Sequence, residues 1–132
     1  MKLFLSIAAI LAWIFGAMLL LIPANFYTPT GIAMTPMIAT IAQAHGATLV
    51  GLGVIDWLAR NAERQGLVAV LAGNLVVQIL SLAVVVRTML LGAGTAVAPG
   101  VVIHVVLGGF FVYFLVRARR LDAGRPRNQA IG

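Results

Sequence analysis

The sequence has no cysteine and very few charged residues. Without cysteine, disulfides, thiol chemistry and cysteine-based metal or iron–sulfur sites are excluded. Only 3 of the 132 residues are acidic, too few for a carboxylate metal site beside an ion pair. The signatures of soluble enzymes are also missing: a Ser/His/Asp arrangement, paired carboxylates, a phosphate-binding glycine loop and the HExxH zinc motif. Any chemistry must therefore come from a small number of polar side chains.

Apolar residues, in contrast, dominate the composition. They make up 62% of the chain, and charged residues make up only 9%. A soluble domain is nearer half apolar and one quarter charged. A short soluble chain cannot hide so much apolar surface, because small domains leave much of their surface exposed. The composition therefore predicts an integral membrane protein.

Four apolar runs are long enough to cross a bilayer, which takes about 20 helical residues. The first run is longer than the apolar part of a cleaved signal peptide, so we expect it to remain as a span. Short connections make consecutive helices antiparallel neighbours. The sequence thus predicts an all-α fold, an up-down-up-down membrane bundle within 1–117. Its helices are expected at about 3–22, 36–59, 67–91 and 97–116.

The basic residues indicate the orientation of the bundle. Four spans place Lys2, the 60–66 loop and a basic tail, 118–132, on one side, whereas the two opposite loops contain no Lys or Arg. By the positive-inside rule both termini are cytoplasmic, as in a multi-pass protein of a bacterial inner membrane. The net charge of +6 then faces anionic lipid, and no nucleic acid is expected as a partner. The arginines near the C-terminus are Arg117, Arg119, Arg120, Arg125 and Arg127.

Three polar side chains are expected at one level of the membrane. At 1.5 Å per residue, His45, Gln78 and His104 lie roughly 18–22 Å from the cytoplasmic ends of their helices. Two histidines on two helices can be axial ligands of haem b or of chlorophyll-type pigments. They can also form a proton or substrate site. The alternative is that each histidine only hydrogen-bonds a neighbouring helix or Gln78.

A second polar group is expected near the cytoplasmic face, formed by Asp56, Arg60 and Asn74. Its function is to anchor the helix end or, alternatively, to let Asp56 accept a proton or contact a partner. Asp56 and Arg60 are four residues apart on one helix face, in the order that favours an ion pair, and Trp57 beside them suits the interface. Arg87 is close enough to the end of its helix to reach the outer headgroups, or to bind an anion. Arg60 and the arginines Arg117, Arg119 and Arg120 are expected to contact lipid headgroups.

Two short stretches, one at the end of the second predicted helix and one in the third, carry a resemblance to other proteins. They are Gly51-Leu-Gly-Val-Ile-Asp-Trp-Leu-Ala-Arg60 and, after a short charged loop, Gly73-Asn74-Leu75. They resemble small bacterial four-helix membrane proteins of a DoxX-like kind, over residues 40–117 at best. The resemblance implies a four-helix bundle and supplies no activity, and it gives no role to either histidine.

The leading functional expectation is a non-catalytic accessory or interaction subunit of a larger membrane complex. The loops are too short for a soluble site, and small residues such as Ala47 and Gly51 favour close helix packing, either within the bundle or with another subunit. One alternative is a cofactor-binding protein that uses His45 and His104. The other is a small carrier or lipid-handling protein that uses His45, Gln78 and His104.

Overall fold

The computed structural model describes residues 1–93 and 97–123, which are helical throughout their length except for short connections. Four of the helices are long and apolar enough to cross a membrane, as predicted. The elements are α1 (Lys2–Leu21), α2 (Pro23–Tyr27), a 3₁₀ turn (Thr28–Thr30), α3 (Pro36–Ala59), α4 (Arg64–Thr88), a π-helical turn (Met89–Ala93) and α5 (Ala98–Ala123).

Local sequence explains several of the helix ends. Pro36 occupies the first turn of α3, where its missing N–H has no partner to lose. The hydroxyl of Thr35 caps the same end by accepting a bond from the Ile38 amide at 3.3 Å. The 3₁₀ turn ends at Gly31, whose φ of 76° is left-handed and favours glycine.

Two helices have bounds that differ from the prediction. The third long helix, α4, begins at Arg64 rather than at 67, because Arg64 and Gln65 are good helix formers and Gly66 does not interrupt the helix. The fourth continues past Val116 to Ala123, so the predicted tail 118–132 begins as a helix. Residues 124–132, with Arg125 and Arg127, lie outside the described part of the chain.

Helix α1 packs closely along α3 because glycines let the two backbones approach. A Cβ added at Gly46 would lie 2.7 Å from the Gly16 carbonyl oxygen, and one added at Gly16 would lie 2.9 Å from that of Gly46. Gly53 is similarly close to the indole of Trp13. The first pair of long helices is thus α1 and α3.

Helices α4 and α5 form the second pair, and the two pairs are joined mainly at one end, which we call the charged end. At this end Nζ of Lys2 donates to Asn61 at 3.0 Å within the first pair, and the Arg64 guanidinium donates to the Ala118 carbonyl oxygen at 2.6 Å within the second. A buried apolar cluster fills the interior of this end. Its members are Phe4, Leu5, Ala8, Ala59, Leu71, Phe111, Leu115 and Ala118.

Candidate functional site

A cavity of about 690 Å³ lies between the two helix pairs. All four long helices contribute to its walls, and Phe26, Tyr27, Pro29 and Ile32 from the segment after α1 also line it. At one limit it reaches Ala8 and Phe111, which belong to the apolar cluster of the charged end. Ligand pockets in proteins typically have volumes of about 300–1,000 Å³, so this cavity has the size of a small-molecule site.

Each long helix lines the cavity with residues of one face. On α3 these residues are His45, Leu49, Leu52 and Asp56, and on α4 they include Asn74, Gln78, Ser81 and Val85, with Val77 beside Gln78. Both sets are spaced four, three and four residues apart, as side chains on one stripe of a helix must be. At 1.5 Å per residue each stripe is about 16 Å long. The cavity is therefore elongated along the helices.

The three side chains that were expected at one level all line this cavity. Nδ1 of His104 lies 2.7 Å from Oε1 of Gln78, which joins α5 to α4. His45, an exposed residue of α3, lines the same space. Within residues 1–93 and 97–123, the His45 ring has no hydrogen-bond partner. The structure thus brings His45, Gln78 and His104 together, and one of the two imidazoles is left unpaired.

A second polar pair lies toward the charged end of the cavity. The Asn74 amide donates to Oδ1 of Asp56 at 2.7 Å and to the Val70 carbonyl oxygen at 3.1 Å. Asp56 is 1% exposed and Asn74 is 3% exposed, although both border the cavity. In the described part of the chain, the Asp56 carboxylate forms no ion pair.

The predicted ion pair between Asp56 and Arg60 is therefore wrong. Arg60 donates from Nε to the Trp57 carbonyl oxygen at 2.7 Å and from a terminal nitrogen to the Ser6 hydroxyl at 3.2 Å. Its guanidinium carbon lies 3.3 Å above the Trp57 ring, a cation–π arrangement. The cause is position: Arg60 follows the last residue of α3 and stays at the charged end, whereas Asp56 is one turn deeper and faces the interior.

The other arginines of interest lie on the surface. Arg87 is exposed in the last turn of α4, and Arg117, Arg119 and Arg120 are exposed on the last turns of α5. Trp57 is 36% exposed and contacts Trp13, with 5.4 Å between ring centroids. These positions leave the arginine side chains available to headgroups, and their contact with lipid stays a prediction.

Sequence reasoning missed the polar cavity residue Ser81, and it placed Asn74 in one layer with Asp56 without predicting the hydrogen bond between them. The available signal was the spacing of Asn74, Gln78 and Ser81, which places the polar residues of α4 on one face. The expected packing role of Ala47 and Gly51 is not found inside the bundle. Both are exposed, and a Cβ at Gly51 would meet nothing within 4 Å.

Neither a group of metal ligands in the described part of the chain nor similarity to known proteins assigns a function to this cavity. Among the described residues, no group of three or more His, Asp or Glu side chains is arranged to hold a metal ion. A scan against models of protein families and searches of curated proteins and of solved structures found no match. The DoxX-like resemblance stays a prediction, and function must be argued from the cavity.

Proposed function

We propose that this protein binds a small amphipathic molecule inside the membrane, as a carrier or lipid-handling protein does. One observation carries the proposal: polar side chains from three helices line one otherwise apolar cavity of about 690 Å³. Binding pockets for small molecules combine apolar walls with a few polar groups that orient the ligand. The polar side chains of the long helices that line it are His45, Asp56, Asn74, Gln78, Ser81 and His104.

The polar groups also support binding over a purely structural role. Polar and ionisable residues within a membrane are costly and usually mark a ligand or ion pathway. A structural role would be complete once each group had a partner inside the protein. The exposed His45 ring has no such partner among the described residues, and the Asp56 carboxylate, which accepts a bond from Asn74, has no cation beside it; both residues line the cavity.

The proposal includes a location and an orientation. An up-down-up-down bundle in a bacterial inner membrane, with both termini cytoplasmic, places the charged end at the cytoplasmic surface. Lys2, Arg60 and Arg64 would then lie next to anionic headgroups, together with the exposed arginines of α5. The accessory role in a larger complex also stays a prediction, since the outer surface of the bundle is apolar and suits lipid as well as protein.

The binding proposal is tested by filling the cavity. Ser81→Trp puts an indole into the cavity, and Val84→Trp puts the same group on the outer face of α4, where Val84 is 63% exposed. Wild-type protein is purified in mild detergent, and its organic extract is analysed by mass spectrometry. We expect a small molecule close to one per chain, lost in Ser81→Trp and retained in Val84→Trp. Equal extracts from both variants would contradict the proposal.

A cofactor is the second candidate, because of the Gln78–His104 contact. Histidines that ligate metals usually donate their other ring N–H to a nearby oxygen, as Nδ1 of His104 can donate to Gln78. The Nε2 atom would then be the axial ligand of a haem or a chlorophyll-type pigment, with His45 as the other candidate ligand. An absorption spectrum of protein from cells that make the cofactor tests this, and a colourless preparation argues against it.

A further inference from the structure

The charge of the cavity lining limits what the cavity can bind. Of the described residues that line it, none is Lys or Arg, and Asp56 is the one acid. An anionic group inside would therefore meet a like charge and no fixed cation. The lining of the cavity thus disfavours fatty acids, phosphates and other anions, and leaves neutral or cationic molecules.

The surroundings of Asp56 distinguish between neutral and cationic ligands. An ionised carboxylate removed from water is costly unless a charge of opposite sign compensates it. In the part of the chain that the structure describes, the one hydrogen bond to this carboxylate comes from the neutral Asn74 amide, and no cation pairs with it. The Arg60 guanidinium, one helical turn away, is held by Trp57 and Ser6. The cavity wall thus contains an anionic side chain, and no cation of the described residues is paired with it.

We infer that the cavity selects a lipophilic organic cation, with the Asp56 carboxylate as its counter-ion. The inference rests on the proposed function and names its ligand class. The Asn74 amide acts as a positioning residue, because its bond of 2.7 Å to Oδ1 fixes the carboxylate and leaves Oδ2 for the ligand. Apolar groups at the same level, Ala8 and Phe111 among them, surround the body of the cation and strengthen the ion pair by excluding water.

The rest of the lining is consistent with a cationic ligand. The aromatic rings Phe15, Phe26 and Phe111 border the cavity, and aromatic faces attract organic cations. The two imidazoles, Gln78 and Ser81 offer hydrogen bonds to polar substituents farther along the cavity. A molecule with its charge near Asp56 and its apolar part extending toward His45 would use the full length of about 16 Å between those residues.

Three aryl probes that differ in charge test the inference: a cation and an anion of the same shape, and a somewhat smaller neutral oxide. Full-length protein in nanodiscs is equilibrated with tetraphenylphosphonium, with tetraphenylborate, and with neutral triphenylphosphine oxide, and binding to empty nanodiscs is subtracted. We expect saturable binding of the cation, at least about 10-fold tighter than that of the neutral probe, and no saturable binding of the anion.

Two substitutions then assign the preference to one side chain. Asp56→Asn keeps the shape and can still accept from Asn74, and it should weaken phosphonium binding at least about 10-fold while changing the oxide less than about 2-fold. Asp56→Glu keeps the charge and should retain the preference for the cation. If Asp56→Asn does not fold, judged by helical circular dichroism, the wild-type charge series together with Asp56→Glu decides.

The outcomes separate this inference from the proposed function. Equal affinities for the three probes, or phosphonium binding unchanged in Asp56→Asn, would overturn the cation selectivity while leaving a cavity that binds small molecules. Extracts that are equal in Ser81→Trp and Val84→Trp would overturn the proposed function itself. Absence of saturable phosphonium binding to the wild type overturns the inference.

Discussion

Oε1 of Gln78 lies 2.7 Å from Nδ1 of His104, and this contact links α4 to α5 along the wall of the cavity. Because the amide oxygen only accepts, the contact assigns the proton to Nδ1 when the ring is neutral. Nε2 is then the ring nitrogen that can accept a bond from a ligand. The same two side chains therefore serve the packing of the second helix pair and the chemistry of the cavity.

The Gln78–His104 contact should appear as a coupling energy. We expect Gln78→Leu and His104→Phe to be non-additive in a double-mutant cycle, with a coupling of about 0.6 kcal/mol, the average for hydrogen bonds between membrane helices, and at most about 1.7 kcal/mol. The measurement is reversible unfolding in mixed micelles, followed by circular dichroism. Leu80→Ala, at a lipid-facing site of the same helix that is 61% exposed, is the control and should change stability by less than about 0.5 kcal/mol. Additive effects would show that the contact contributes nothing.

Two glycines of α3 should differ sharply in their tolerance of a methyl group. A Cβ at Gly46 would lie 2.7 Å from the backbone oxygen of Gly16, and one at Gly51 would meet nothing within 4 Å. Gly46→Ala should therefore cost about 1–3 kcal/mol, the range for overpacked cores. Gly51→Ala should be neutral or stabilising by up to about 1 kcal/mol, because alanine is the better helix former. Equal stability of the two variants would contradict the close approach of α1 and α3.

Arg64 should resist replacement by lysine even though the charge is kept. Its guanidinium donates from two nitrogens to the Ala118 carbonyl oxygen, at 3.0 and 2.6 Å, and a lysine ammonium cannot reproduce this fork. We expect Arg64→Lys to lower the free energy of unfolding by about 0.5–1.5 kcal/mol. The same substitution at the exposed Arg87 serves as the control and should cost less than about 0.5 kcal/mol. A larger cost at Arg87 than at Arg64 would be evidence against this link between α4 and α5.

The absence of native cysteine makes the proposed orientation simple to test. Single cysteines at Asn61, at the charged end, and at Ile32, in the segment before α3, can be labelled in whole cells with a membrane-impermeant maleimide. The positive-inside rule predicts labelling at Ile32 in intact spheroplasts and labelling at Asn61 only after the membrane is opened. The reverse pattern would show that the bundle is inverted.

The sequence was sufficient to predict four helices long and apolar enough to cross a membrane, but it was insufficient to predict their rotation. Apolar runs of membrane length predict helices because the bilayer leaves the backbone no other way to satisfy its hydrogen bonds. The runs are apolar on nearly all sides, so the cavity-facing side of α3 could not be read from its apolar residues. The polar residues did indicate the cavity-facing side, since His45 and Asp56 are eleven positions apart and therefore lie on one face of the helix.

The Asp56–Arg60 prediction was wrong for a related reason. Spacing along one helix places two side chains near each other, but the neighbouring helices decide which partner each one takes. Asn74 on α4 takes the carboxylate, and Ser6 on α1 accepts a bond from the guanidinium. Such side-chain contacts depend on how each helix is rotated and how deep it lies in the bundle. A single sequence specifies neither.

The hydrogen bonds at the charged end have a consequence for how the protein is inserted and folded. Lys2 bonds Asn61, Arg60 bonds Ser6, and Arg64 bonds Ala118, so each cation reaches a helix or loop far away in the chain. Positive charges beside a span also govern the direction in which it inserts. We therefore expect these cations to act twice: while their own span enters the membrane, and again in the folded bundle, where they hold distant parts of the chain together. Neutralising one of them should produce two separable defects, a misdirected span and a correctly inserted bundle in which the two helices of one pair separate more easily.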